Sequence, residues 1–239
     1  MEIEKIKLTQ IYYIDVSGFL SFFVLLSSRL ALCNVRCGSH NSDVFNPSPL
    51  HVMPLQQTPP NSALLIIDVQ QSFLHMPYWS SESEAPFQQA LLKLDAGCRK
   101  AGVPVVHIFH IDDDAPFRAE SGFVKPMDWL AGQPAVRFDK HVHNAFTDTG
   151  LDVWLRRRGV QKLIISGIRT EQCCETTARV ASDLGYAVDF VSEATLTFPM
   201  THQGTGQTFS AEDITTRTEL VLADRFARIV TVDTCLSSL

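Results

Sequence analysis

The sequence predicts an α/β fold: a three-layer α/β/α, Rossmann-like domain with a six-stranded parallel sheet. Two observations lead to this prediction. Short runs of consecutive apolar residues, such as Ala63–Ile67 and Leu163–Ile165, are typical of parallel strands that are buried on both faces. These runs alternate with longer segments of helical period, which is the pattern of a parallel sheet with right-handed crossovers. Residues 61–239 are predicted to form this single domain.

Composition narrows the classes of function. The chain has 239 residues, of which 45% are hydrophobic and 19% are charged, so it is long enough for one well-buried domain. Its formal net charge of −6 gives no reason to expect nucleic acid or an anionic membrane surface as a partner. Six cysteines in a chain of this length are not a disulfide framework. They indicate a reducing compartment, and we expect a cytoplasmic protein.

Residues 1–60 differ in character and are predicted to be an N-terminal extension. The stretch Val16–Leu32 faintly resembles a signal peptide, but Arg29 interrupts it and no continuous apolar span is long enough to cross a bilayer. Asn41–Asn61 is rich in Pro, Ser, Asn and Gln, as linkers are. We therefore expect the extension to be disordered, or the native chain to start at Met53.

Within the domain, the predicted elements alternate along the chain. Strands are expected at 63–67, 103–109, 135–140, 163–165, 187–191 and 229–232. Helices are expected at 86–101, after Phe146 as far as Gly159, after Thr170 as far as Leu184, and at 211–222. Two long loops, 115–134 and 192–207, connect them. We predict that the first loop, with Trp129, covers a substrate pocket.

Three reactive side chains are predicted at the carboxyl ends of three strands. Asp68 follows the first strand, Lys140 ends the third, and Cys173 lies in the first helical turn after the fourth. In open α/β sheets, ligands bind at this edge. Each residue also has a plainer interpretation by itself, as a capping or turn Asp, a solvated surface Lys and a small buried Cys.

Cys173 is the candidate nucleophile. A helix N-terminus supplies partial positive charge and free N–H groups, which stabilise a thiolate and a developing oxyanion. A neighbouring Lys140 ammonium is expected to lower the pKa of this thiol further. Cys174 lies about 100° around the helix and is predicted to be a buried structural thiol.

Three motifs contain these residues. The pattern G-x-x-T-x-x-C-x-x-x-T-A runs from Gly167 to Ala178, D-x-Q-x-x-F begins at Asp68, and K-x-x-x-(S/N)-A-F begins at Lys140. All three resemble segments of the isochorismatase-like cysteine hydrolases, the superfamily of nicotinamidases, N-carbamoylsarcosine amidases and ureidoacrylate amidohydrolases. The resemblance spans essentially the whole domain.

The resemblance implies roles for these positions. Asp68 would be the general base, Lys140 would lie beside it, Cys173 would be the nucleophile, and Phe73 would form a pocket wall. The Ile168–Arg169 peptide would be cis, and the backbone N–H groups of Arg169 and Cys173 would stabilise the oxyanion. Arg169 departs from the small residues usual at its position, and either pairs with an acidic group of the substrate or points to solvent. Homo-oligomers, dimers or tetramers, are also implied.

No cofactor is expected. No G-x-G-x-x-G follows any strand, so a dinucleotide site is poorly supported. Nicotinamidases bind a metal through a D-x-H motif that this sequence does not reproduce. His107 and His110 are three residues apart in a strand and are therefore expected on opposite faces. We expect no metal site and interpret Asp112, Asp113 and Asp114 as a solvated loop.

The function predicted from these residues is hydrolysis of a C–N bond in a small amide, carbamoyl or ureido compound. Two alternatives stay open. One is an ether hydrolase like isochorismatases proper, which do not need the cysteine. The other is a non-hydrolytic thiol protein, either a redox sensor that uses Cys173 and Cys174 or a binding module.

Overall fold

The computed structural model describes residues 61–239 and, before them, only the backbone of three short strands. These strands, β1 (Ile11–Ile14), β2 (Leu20–Leu26) and β3 (Arg29–Leu32), form an antiparallel sheet in that order. Sequence analysis predicts no strand in this extension. The predictions of disorder in residues 1–60 and of a start at Met53 otherwise lie outside the described residues.

The domain is built on a six-stranded sheet. Its strands are β4 (Ser62–Ile67), β5 (Val105–His110), β6 (Val136–Lys140), β7 (Lys162–Ile168), β8 (Ala187–Leu196) and β11 (Arg228–Ile229). They lie in the order β11-β8-β7-β4-β5-β6, and every neighbouring pair is parallel. This arrangement confirms the predicted fold class.

Helices cover both faces of this sheet. They are α1 (Ser81–Lys100), α2 (Leu151–Arg156), α3 (Glu175–Asp183), α4 (Ala211–Leu222) and α5 (Val232–Ser237). Strand β4 shows the division, because Leu64 and Ile66 join the core formed with α1 and α5, whereas Leu65 and Ile67 join the core formed with α2, α3 and α4. All six β4 residues are buried, as a two-faced strand requires. Among the described residues, no helix is both long and apolar enough to cross a membrane.

Several element boundaries differ from the prediction. Helix α1 begins at Ser81, so Pro86 lies inside it instead of opening it. Strand β8 continues to Leu196, and the loop after it contains a short hairpin, β9 (Met200–Thr201) with β10 (Thr208–Phe209). The last strand is only Arg228–Ile229. It ends early because Thr231 caps a fifth helix, and its Oγ1 accepts a hydrogen bond from the Thr234 N–H.

The buried face of α3 also differs. The spacing of Thr177, Val180, Ala181 and Leu184 predicts that these four residues form the buried face. Thr177 and Ala181 are buried, Val180 is half-buried, and Leu184 follows the helix and is 39% exposed. The reason is that α3 ends at Asp183, so Leu184 is its C-cap and lies outside the helix. Residues Thr170–Cys174, which precede α3, form a π-helical turn with i→i+5 hydrogen bonds.

Candidate active site

The three predicted reactive side chains meet at the carboxyl edge of the sheet. Asp68 follows β4, Lys140 ends β6, and Cys173 lies in the π turn after β7. The Lys140 Nζ lies 2.8 Å from Asp68 Oδ2 and 3.3 Å from Cys173 Sγ. Asp68 and Lys140 are completely buried, and Cys173 is 7% exposed. Strand order alone brings the three together, since β4 and β7 are neighbours and β5 separates β4 from β6.

A tight turn presents Asp68 to the site. Its φ is 54°, in the left-handed region that Asp tolerates better than most residues. Its N–H donates to the Ile108 carbonyl at 2.7 Å, and its carbonyl accepts from the Gln70 N–H at 2.9 Å. Among the residues that the structure describes, neither carboxylate oxygen of Asp68 has a partner with hydrogen-bond geometry, but Oδ2 forms an ion pair with Lys140 Nζ at 2.8 Å. One carboxylate oxygen is therefore paired with Lys140 while the other keeps its acceptor capacity.

Cys173 is positioned by a close approach of β7 to β4. Gly167 has a φ of 127°, and a Cβ there would lie 2.0 Å from the Ile67 carbonyl oxygen, so only glycine fits. The Ile168–Arg169 peptide that follows is cis. The N–H groups on either side of Cys173, those of Gln172 and Cys174, both donate to the Arg169 carbonyl at 3.2 Å.

The electrostatics of Cys173 differ from the expectation. Burial, followed by the negative charge of Asp68, raises the pKa of the Cys173 thiol above its ordinary value, although Lys140 acts in the opposite direction. Two features explain this difference in pKa. The Cys173 thiol is nearly excluded from water, and the Asp68 carboxylate is paired with the same Lys140 ammonium that contacts the thiol. Cys173 therefore rests as a thiol and needs a base before it can attack. Cys174 is fully buried, and burial likewise raises its pKa.

Lys140 keeps its charge inside the site. Burial disfavours the ammonium, but the negative charge of Asp68 and the contact with Cys173 outweigh it, and the pKa of Lys140 is raised above its ordinary value. The ammonium also lies 3.1 Å from His110 Nδ1. It therefore joins three groups from three different strand ends.

A small pocket of about 130 Å³ opens onto Asp68 and Cys173. Phe73 lines it and packs edge-on against Phe117, with ring centroids 5.0 Å apart. The other lining residues are Met76, Tyr78, His110, Asp112, Asp114, His143, Arg169 and Gln172. Ile168 is fully buried behind the turn and does not line the pocket.

Trp129 does not line the pocket, contrary to the sequence prediction. Its indole N–H donates to Glu84 of α1 at 2.9 Å, and its ring packs edge-on against Phe87 at 5.9 Å. The loop that carries it is drawn towards α1 by these two contacts. Trp129 therefore fastens the loop to the helix.

Arg169 faces the pocket and not solvent. Its side chain is 12% exposed and lies over the rings of Tyr78 and Phe198, 5.2 Å and 5.7 Å from their centroids. Its Nη2 is 2.9 Å from Glu171 Oε1, so its charge is balanced within the wall. Tyr78 is itself affected by this environment, since burial raises the pKa of its hydroxyl although Arg169 opposes the change.

The two histidines of β5 lie on opposite faces, as expected. His107 is buried on the side towards Met127 and Leu130, and His110 lines the candidate site. Within residues 61–239, no three His, Cys, Asp or Glu side chains are grouped so that they could hold a metal ion. Asp112 and Asp114 are exposed loop residues, but they also border the pocket, which the interpretation as a solvated loop missed.

Sequence reasoning also missed the part that His110 plays, because it considered this residue only as a metal ligand. The signal was available in the pattern. His110 ends β5, and a residue that ends a parallel strand lies at the ligand-binding edge of the sheet. Gln70 of the D-x-Q motif is the second missed residue. It bonds both the N–H and the carbonyl of His110 and so ties the end of β5 to the turn after β4.

Comparisons with known proteins identify relatives of this domain. The family model of the Isochorismatase domain matches residues 62–220. The isochorismatase family protein YrdC of Bacillus subtilis is 30% identical over 72% of this chain and 92% of its own length. Nicotinamidase 3 of Arabidopsis thaliana is 31% identical over 58% of this chain and 76% of its own. The crystal structure of a cysteine hydrolase from Pseudomonas syringae pv. phaseolicola superposes with a TM-score of 0.69 at 26% identity, covering 75% of this chain and 92% of that one.

Proposed function

The chain belongs to the isochorismatase family of hydrolases, and we propose that it hydrolyses a C–N bond in a small amide, carbamoyl or ureido compound. Cys173 is the nucleophile, Asp68 the general base and Lys140 the cation that holds the other two in place. One observation supports this assignment above all. Asp68 and Cys173 both lie within reach of the Lys140 ammonium, next to a pocket, at the ligand-binding edge of the sheet.

The first step needs a base because the thiol is protonated at rest. Asp68 accepts the proton from Cys173 Sγ as the sulfur forms a bond to the substrate carbonyl carbon, and the carbonyl π electrons move to oxygen. Asp68 suits this task, since one of its oxygens has no hydrogen-bond partner among the described residues. Lys140 stays charged throughout and stabilises whichever of Asp68 and Cys173 carries the negative charge.

The negative charge on the substrate oxygen needs N–H donors. The backbone N–H groups of Cys173 and Arg169 serve as these donors in the proposed mechanism, and the positions of both in the turn after β7 support this role. Collapse of the tetrahedral species breaks the C–N bond, and Asp68 returns its proton to the leaving nitrogen. Asp68 then removes a proton from water, whose oxygen attacks the thioester carbonyl carbon. The C–S bond breaks, the carboxylic acid is released, and Asp68 returns the proton to Cys173 Sγ, which restores the thiol.

Two considerations favour C–N hydrolysis over the alternatives. Nicotinamidase 3 is named for an amide substrate, and an amide requires a nucleophile such as Cys173. A redox sensor needs an exposed thiol of low pKa, whereas burial raises the pKa of both Cys173 and Cys174. A pocket of about 130 Å³ limits the substrate to a small molecule.

The experiment is an ammonia-release assay on a panel of small primary amides, carbamoyl and ureido compounds. Wild type is compared with Cys173→Ala, and Cys174→Ala is the matched control because it removes the neighbouring buried thiol. We expect release by wild type and by Cys174→Ala, with a loss of at least about 10³-fold in Cys173→Ala. Release that persists in Cys173→Ala, or no release from any compound by wild type, contradicts the proposal.

A further inference from the structure

The Lys140 ammonium has three N–H donors and three acceptors around it. Asp68 Oδ2 lies at 2.8 Å, His110 Nδ1 at 3.1 Å and Cys173 Sγ at 3.3 Å. An ammonium can only donate, so His110 Nδ1 must be the acceptor in its contact. The imidazole is then neutral and carries its proton on Nε2.

We propose that His110 is a positioning residue, whose neutral Nε2–H tautomer accepts a hydrogen bond from Lys140 and so holds the ammonium between Asp68 and Cys173. The inference rests on the function proposed above. His110 touches Lys140, and its effect on the reaction passes through that contact. Without it, one N–H of a completely buried ammonium would lack an acceptor, and the side chain would turn to find another.

The His110 ring is held at several points. Its backbone N–H donates to Gln70 Oε1 at 2.8 Å, and its carbonyl accepts from Gln70 Nε2 at 3.0 Å. The ring Nε2 lies 3.3 Å from Asp112 Oδ2, which accepts a hydrogen bond from the Nε2–H group of the proposed tautomer. The ring also packs edge-on against Phe117 at 6.0 Å. Backbone, ring edge and ring face are therefore all constrained, as a group that positions another must be.

The charged groups around His110 shift its pKa in opposite directions. Burial lowers the pKa of His110 first, and the Lys140 ammonium lowers it further, while Asp68 and Asp112 oppose the change. His143 stacks in parallel on the ring, with centroids 6.4 Å apart. The net direction is a pKa below the ordinary 6.5, so His110 is neutral at pH 7.

Protonation of His110 would undo the arrangement. A proton on Nδ1 would point at the Lys140 ammonium, replacing a hydrogen bond with repulsion between two cations. Lys140 would then lose the contact that orients it towards Cys173. We therefore expect the site to lose this arrangement below pH 6.5, as His110 takes up a proton.

The first test is NMR of the imidazole nitrogens in the ¹⁵N-labelled full chain. The expected result is the Nε2–H tautomer of His110 at pH 7.5, with a titration midpoint below 6.5. In Lys140→Met, which removes the positive charge, we expect the midpoint to rise and the exposed His202 to be unaffected. An Nδ1–H tautomer, or a midpoint that does not move in Lys140→Met, would overturn the proposal.

The second test measures Cys173 itself with iodoacetamide at pH 8, using mass spectrometry of the labelled peptide. His110→Asn keeps an acceptor near the position of Nδ1, whereas His110→Leu removes it. We expect His110→Leu to react about tenfold more slowly, because Lys140 no longer donates steadily to the sulfur, and His110→Asn to stay within about threefold of wild type. His202→Asn, a matched change in the turn between β9 and β10, is expected to react like wild type.

The outcomes separate this inference from the proposed function. Equal rates for His110→Leu and His110→Asn overturn the positioning role even if ammonia is released from the panel. The expected NMR and alkylation results without any ammonia release would contradict amide hydrolysis and leave the positioning of Lys140 supported. If burial and the raised pKa keep wild-type Cys173 unlabelled at pH 8, the comparison is made at a higher pH at which wild type is labelled, and equal rates for His110→Leu and His110→Asn there overturn the positioning role.

Discussion

Two buried carboxylates of the same sheet are surrounded in different ways. Asp189 on β8 is 3% exposed, and both of its oxygens are bonded. Arg228 donates to each oxygen at 2.8 Å, and Lys162 adds a contact at 3.1 Å. Asp68 is completely buried, has a single cation partner, and leaves Oδ1 without a hydrogen bond among the described residues.

The cations differ as well. The side chain of Arg228 is 55% exposed, so this pair keeps much of its hydration. The Lys140 side chain is 0% exposed, and its ammonium is shared with a thiol and a histidine. Both oxygens of Asp189 have cationic partners, which makes it a structural carboxylate. Asp68 has a partner on one oxygen only, so the other oxygen is able to accept a proton. The comparison teaches that burial of a carboxylate does not identify a site, but an unused acceptor beside a pocket does.

The largest effect is expected from Asp68→Asn, which keeps the shape of the side chain and removes its charge. Ammonia release is predicted to fall by about 10³-fold, because the general base is lost. Alkylation of Cys173 by iodoacetamide at pH 7.5 is predicted to become faster, since the charge of Asp68 raises the pKa of the thiol. The two assays would therefore move in opposite directions. A variant that loses both reactions together would contradict the separate roles given to the charge and to the base.

Asp189→Asn is the matching change at the structural carboxylate, and its effect is expected on stability. We expect the free energy of unfolding, measured in urea, to fall by about 2–3 kcal/mol, because charge-assisted hydrogen bonds to Arg228 and Lys162 are lost. Ammonia release per folded molecule is predicted to be unchanged. Asp183→Asn, at the exposed end of α3, is the control and is expected to change stability by less than about 0.5 kcal/mol. Lost activity in folded Asp189→Asn would break the distinction between the two carboxylates.

His107 and His110 of β5 also differ in role, and we expect His107 to make the stability of the fold depend on pH. Burial lowers the pKa of His107 to about 4, and His107 Nε2 has no hydrogen-bond partner among the described residues. The unfolded chain binds this proton below about pH 6.5 and the folded chain does not, so stability is full above that pH and is lost as pH falls towards 4. Between pH 7.5 and 5 the loss is predicted to be about 2 kcal/mol. In His107→Leu this part of the pH dependence is expected to disappear from urea unfolding curves. His110→Asn serves as the comparison and keeps the His107 contribution.

The main features of this site were predictable from local pattern. Asp68, Lys140 and Cys173 each follow a predicted strand, and parallel strands place their carboxyl ends at one edge, so the three could be placed at that edge from the sequence, whereas the strand order decides which of them touch. The fold class followed from the same alternation. Helix α4 begins at Ala211, as predicted, and the Ser210–Asp213 capping box that starts it is a local signal.

The other features depend on contacts between distant parts of the chain. His110 meets Lys140 only because β5 and β6 pair in a register that sets those two residues opposite each other. Residues Thr170–Cys174 form a π turn, and nothing in a 3.6-residue period indicates such a turn. Nor could the sequence show that burial and Asp68 raise the pKa of Cys173, since that depends on how closely the pocket wall excludes water.

Trp129 offers the smallest predicted effect and the sharpest check on where the pocket ends. Trp129→Phe removes the indole N–H that donates to Glu84 and keeps an aromatic ring against Phe87, so the free energy of unfolding is expected to fall by about 1 kcal/mol. KM and kcat for the best amide of the panel are predicted to stay at wild-type values, because Trp129 is absent from the pocket wall. Phe73→Leu is the matched change inside the wall, and there KM is expected to rise, since Phe73 lines the pocket and packs on Phe117. A rise in KM for Trp129→Phe comparable to that for Phe73→Leu would show that the loop covers the substrate in solution and would restore Trp129 to the pocket.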